Sequence, residues 1–142
     1  MSLDLATAKA ITAGAQAFGL SSDLKPLTVV VLDAGGHVTS VERQDGASNQ
    51  RFEVAYGKAN GALALGMGSR ALMNRAEAQS YFVTAVGASI RGPLIPVPGG
   101  VILRDGAGAI VGAVGISGDS SDNDEAAAVA GAQAAGLAFQ VD

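Results

Sequence analysis

The sequence predicts an α/β fold of the α+β kind, an antiparallel sheet flanked by helices. Two stretches double back on themselves. Leu27–Asp33 turns at Ala34-Gly35-Gly36 into 37–43, and Pro96–Gly118 runs from Gly99-Gly100 through an Asp105-Gly106 turn into a longer apolar run. Apolar runs bounded by Gly-rich turns read as paired strands. Segments of helical period stand before, between and after them, in the order helix, hairpin, two helices, hairpin, helix. No regular strand–helix alternation is present, so a parallel doubly wound sheet is not expected. A length of 142 residues suits one domain, 1–142.

Residues 3–19 form the first expected helix, with Leu3, Thr7, Ala10, Ile11, Gly14 and Phe18 near one face, Ser2 as its cap and Gly19 at its end. Leu27–Asp33 is apolar on both faces, as for a strand covered on both sides. After the polar loop 44–49 a helix begins near Gln50, where Phe52, Tyr56, Ala59, Leu63 and Met67 recur at helical spacing. Gly66-Met-Gly68 breaks it. Ser69 caps a second helix reaching about Val86, with Met73, Ala76 and Val83 inward. Residues 87–98 are irregular and hold three prolines. The last helix spans Asp122 to about Phe139, and Asp122 with Glu125 approximates a capping box.

Composition narrows the function classes. Hydrophobic residues make up 49% and charged residues 15%, which is globular composition. Aromatics are only 4%, so each contact of this Ala- and Gly-rich core buries little area, and association between copies would offset that. The net charge is −4 without a basic stripe, which argues against nucleic-acid binding. No apolar run approaches the roughly 20 residues that span a bilayer. The first residues lack the basic region of a secretory signal. There is no cysteine, hence no disulfide, Cys metal site or Cys nucleophile. A cytoplasmic location is the expectation.

Gly106-Ala-Gly108-Ala-Ile-Val-Gly112 looks like a dinucleotide fingerprint, but it leads into a strand where a helix N-terminus is needed to meet the phosphate. Ser117 has no triad partners in view and no nucleophile elbow. His37, the only histidine, cannot build a multi-histidine metal site, and no metal centre is expected. One histidine suffices as a haem axial ligand, yet its place after a Gly-Gly turn favours a partly exposed turn residue. Arg43 and Asp45 end the first hairpin, either as solvated surface charges or as a rim that orients an anionic ligand. Lys58 lies among small residues that allow close approach and partial desolvation of its amine, though a lone helical lysine is commonly solvated. Asp122, Asp124 and Glu125 suit a helix start by charge alone. Gly99 and Gly100, followed by the Gly-rich strand, allow close approach of a ligand or of another backbone.

These residues, taken in order, resemble the GlcG/HbpS-like family, which also occurs as the C-terminal domain of PduO-type proteins. The matching pieces are Val31-Leu-Asp33-Ala-Gly35-Gly36-His-Val, Arg43-Gln-Asp45-Gly46-Ala47, Lys58-Ala59, Pro98-Gly99-Gly100-Val101, Gly112-Ala-Val-Gly115-Ile-Ser117-Gly118 and Asp124-Glu125. Gln44 stands where the family often has Met, and Asn60 where Thr or Ser is common. The resemblance implies a profilin-like sandwich, homo-oligomers from dimer to octamer with pockets near subunit contacts, and in some members haem or a tetrapyrrole-related ligand.

Two functions follow as expectations. The first is a cytoplasmic, oligomeric small-ligand-binding protein, with haem as the most definite cofactor and Arg43, Gly99, Gly100, Asp124 and His37 as ligand-binding candidates. The alternative is a small enzyme of organic-acid or aromatic catabolism. Arg43 would hold its anionic substrate, and Lys58, Glu125 and Asp45 would move protons. A structural subunit of another enzyme is the third and blander reading.

Overall fold

The computed structural model describes residues 2–142. In chain order its elements are α1 (Leu5–Ser21), β1 (Thr28–Asp33), β2 (Val38–Arg43), α2 (Arg51–Leu65), α3 (Ser69–Ala78), α4 (Ser80–Ser89), β3 (Gly100–Arg104), β4 (Ile110–Ser117), α5 (Ser121–Ala134) and β5 (Ala138–Gln140). The strands make one sheet in the order β2-β1-β4-β3-β5, every neighbouring pair antiparallel. The expected α+β fold is what forms.

The sheet is the middle of three layers. Val29, Val31, Val101, Leu103, Val114 and Ile116 pack with α1 and α5 through Ile11, Ala15, Ala127 and Ala128. On the other face Val30, Leu32 and Ala113 pack with α2 through Ala55 and Ala59. Alternation along β1 sends odd and even residues to different helices, which is why Val29, Val30, Val31 and Leu32 are all apolar. The two helices of the first layer touch through small residues: a Cβ on Gly14 would lie 2.4 Å from Ala134 Cβ, and one on Gly131 would lie 2.6 Å from Ile11 O.

Four expectations need correction. The helix expected from Ser69 to about Val86 is two helices. Gln79, with φ −145° and ψ 67°, ends α3, and the Arg75 guanidinium then stacks 4.0 Å over the Phe82 ring. The helix expected to reach Phe139 stops at Ala134. Gly136 takes φ +71°, a conformation that ends helices, and the chain continues into β5 along the edge of β3. The α1 cap is Asp4, whose carboxylate accepts from Thr7 N at 2.8 Å, while Ser2 Oγ accepts from Ala34 N. The α5 cap is Ser120, which accepts from Asn123 N.

Candidate functional site

Gly99 and Gly100 face the protein's own helix α2. A Cβ on Gly100 would lie 2.3 Å from Lys58 O, and one on Gly115 would lie 2.0 Å from Ala55 O. Gly99 has φ +125° and leaves room for the Lys58 amine, 2.8 Å from where its Cβ would stand. These glycines let helix and sheet backbones meet at a spacing that a side chain forbids. Ser69 Oγ, at the start of α3, locks the join by accepting from Gly100 N at 2.7 Å.

Lys58 therefore lies inside the protein. Its ammonium donates to Ile116 O at 2.8 Å and to Asp124 Oδ2 at 3.0 Å, and both charged side chains are 2% exposed. Asp124 Oδ1 also accepts from Asp119 N at 2.9 Å. Burial pulls the Lys58 amine below the usual lysine range against the attraction of Asp124, and the charge of Arg51 adds to the lowering. Burial likewise raises Asp124, opposed first by the Lys58 charge.

The remaining candidates stand apart from this pair. Glu125, one helix position on, faces Arg70, whose Nε donates to its Oε2 at 3.0 Å, and the same guanidinium holds Asp122 at 2.6 Å. That fork joins α3 to α5 and holds Arg70 strongly protonated. Arg43 Nη1 donates to Ala47 O at 2.7 Å, closing its own loop, and Asp45 is exposed in that loop. Among the described residues no hydrogen bond or ion pair links Asp45 or Glu125 to Lys58. Gln44 serves the fold, its Oε1 accepting from Leu27 N at 2.9 Å, and Asn60 Nδ2 holds Arg91 O and Pro93 O.

His37 is placed differently. Its side chain is 80% exposed, and its Nδ1 lies 3.1 Å from Asp33 Oδ1, which also accepts from the N–H groups of Gly35 and His37. Partial burial works to raise the Asp33 carboxyl, but the backbone donation and charge of His37 outweigh it and hold the group below its usual range. An ionised carboxylate only accepts, so in the neutral imidazole the proton sits on Nδ1 and Nε2 keeps a free lone pair. Beside the turn lies an open cavity of about 230 Å³, lined by Gly35, Gly36, Leu63, Ala64, Ile90 and Arg91. Asp33, read from sequence only as part of a motif, orients the imidazole.

Arg51 is the cation that sequence reasoning passed over. It opens α2, is half-buried, and donates from Nη1 to Ser117 Oγ at 3.2 Å. Its only legible signal was its place just after the loop that the motif had marked. A cavity of about 200 Å³ adjoins it, between Lys25 and Gly118. Two further cavities lie between α1 and β2 (about 370 Å³) and beside Leu3 and Leu137 (about 180 Å³). None of these four is lined by Lys58, Asp124 or Glu125. Among the described residues no helix is long and apolar enough to cross a membrane, and no group of three or more His, Asp or Glu could hold a metal ion.

A sheet covered on both faces, a buried Lys–Asp pair behind its central strands and open cavities at its ends define an α+β protein with open surface cavities. The chain belongs to the HbpS-like family: the family model described as haem degrading protein HbpS-like matches residues 3–133. Among solved structures it is similar to PduOC in its heme complex (TM-score 0.86, 23% identity, 99% of each chain). It is also similar to HbpS (TM-score 0.80, 28% identity, 94% of this chain and 89% of that one). The Klebsiella pneumoniae protein ORFY superposes as well (TM-score 0.85, 20% identity, 94% and 90%). No curated protein sequence matches it.

Proposed function

We propose that this chain is a haem-binding protein, or one for a tetrapyrrole-related ligand, and that His37 would ligate the haem iron. The observation that carries the reading is the Asp33–His37 pair, which engages Nδ1 and leaves Nε2 without a partner on a side chain that is mostly exposed. A carboxylate on the far ring nitrogen is the usual means by which a metal-binding imidazole is oriented and made more basic. Haem also needs an apolar surface for its macrocycle and a cation for its propionates. Gly35, Gly36, Leu63, Ala64 and Ile90 supply the first, and Arg91 the second. A Cβ on Gly35 would lie 2.7 Å from the His37 ring, so the glycine keeps the imidazole where it is. Bound haem would supply a redox-active iron; His37 would ligate it, and Asp33 would fix the imidazole tautomer. The open shape of this cavity suits a ligand shared between copies in a homo-oligomer. The family description and the heme complex of the PduOC relative support the same reading.

Titration of the protein with ferric haem is expected to shift the Soret band and saturate at one haem per subunit or per pair of subunits. His37→Ala should abolish the shift, and Asp33→Asn should weaken binding by about 10- to 100-fold. An unchanged Soret shift in His37→Ala, or broad binding without saturation in the native protein, overturns the proposal.

A further inference from the structure

We propose a second binding site, for a small anion that presents two adjacent oxygens (a carboxylate or a phosphate), in the cavity between Lys25 and Arg51. The cavity has about 200 Å³ and is lined by Lys25, Gly46, Ala47, Ser48, Arg51 and Gly118. Drug-sized ligands fill about 300 Å³ or more, so the occupant is an acid of a few carbons or a single phosphate group.

Three observations converge there, and a fourth adjoins them. Among the described residues neither Lys25 nor Arg51 forms an ion pair. Arg51 uses Nη1 on Ser117, which leaves the rest of its planar fork free, and such a fork matches paired oxygens. The N-terminus of α2, a helix of 15 residues, carries no side-chain cap at Gln50, and the acid of its first turn, Glu53, is exposed, where water and salt screen it. Thr28 lies directly opposite Ser117 in the β1–β4 ladder and so shares its face of the sheet. Thr28 is fully buried, and its Oγ1 has no hydrogen-bond partner. Buried hydroxyls are nearly always partnered; Thr28 does not line the cavity itself but is the cross-strand neighbour of Ser117, the residue that holds Arg51.

The acids nearby are otherwise engaged. Asp119 accepts from Lys25 N, Ser120 N and Asn123 Nδ2, and Asp124 is paired with Lys58. Asp45, beside Gly46, is exposed, where water and salt screen it. The site lies at the Thr28 end of β1, and His37 lies beyond the Asp33 end, so the two ligands do not compete.

The test is calorimetric titration of the full chain with malonate, acetate and inorganic phosphate. Saturable binding of at least one, with a Kd at or below about 1 mM, is expected. Binding of phosphate alone or of carboxylates alone supports the site and tells which of the two sources it takes. Arg51→Gln should weaken binding about 10- to 100-fold. Lys25→Gln should weaken it too, and its exposed side chain makes that change safe for folding, with an unaltered melting temperature as the check. Arg51→Gln should keep the haem Soret shift, and His37→Ala should keep anion binding, so either site can fail without the other. No saturable binding of any of the three, or binding undiminished in both cation variants, overturns the proposal.

Discussion

Lys58 shows how one side chain is fixed by its surroundings. It is the largest of the fully buried side chains. Its amine has a carbonyl, a carboxylate and the space left by Gly99. The pair is held by geometry that removal of one partner cannot repair. Lys58→Met should cost about 3–5 kcal/mol in urea unfolding, because Asp124 is left as an uncompensated buried charge. The double variant Lys58→Met/Asp124→Asn should be more stable than Lys58→Met alone, since the amide oxygen still accepts from Asp119 N and no charge remains. If the double variant is the less stable of the two, the charge is not the cause. The sequence marked Lys58, Asp124 and Glu125 together, yet nothing in it told the acids apart. Helix phase does: one step along α5 turns Asp124 into the core and Glu125 toward Arg70. His37 was legible as a turn residue; its tie to Asp33 was not, because it depends on where the ring rests.

At the scale of elements, the Gly-rich strand β4 and helix α2 make one unit. Gly115 on β4 and Gly100 on β3 pair across the ladder, and both abut α2 backbone, at Ala55 and Lys58. Gly115→Ala should therefore lower stability by about 1–3 kcal/mol or more, because the new methyl meets a carbonyl oxygen and no flexible side chain is there to yield. A thermal melt checks it, and Gly106→Ala, where nothing lies within 4 Å, is the control expected to leave the melt nearly unchanged. The glycines were visible in the sequence as a demand for close approach; that the approaching group is α2 needed the fold. Both hairpins, α1 and α2 were legible because turn glycines and apolar period agree. The break at Gln79 was not, since neither Gly nor Pro stands there and the bend rests on Arg75 and Phe82 meeting across it. Strand β5 was missed for a different reason. Its three residues are too few to show a period, although Gly136 was a legible stop.

At the scale of the molecule, β1 separates the two proposed sites and the chain's acids tie its ends together. Asp119 bridges the segment before β1 to the first turn of α5 by accepting from Lys25 N at 2.8 Å and from Asn123 Nδ2 at 2.8 Å. Donation by Asn123 and then by Lys25 N lowers this carboxyl from 3.8 to about 2. Between those values the unfolded chain binds more protons than the folded one, so stability from this group is complete above 3.8 and is lost as pH falls toward about 2. Asp4 and Asp33 are lowered as well and steepen the same acid limb. Asp119→Asn cannot lose what it lacks. Its urea midpoint should lie below that of the native protein at about pH 5, and the two should draw together as pH approaches about 2. Midpoints that stay a constant distance apart across that range would mean that Asp119 acts through shape alone, and that its charge contributes nothing to holding the N-terminal end of β1 against α5.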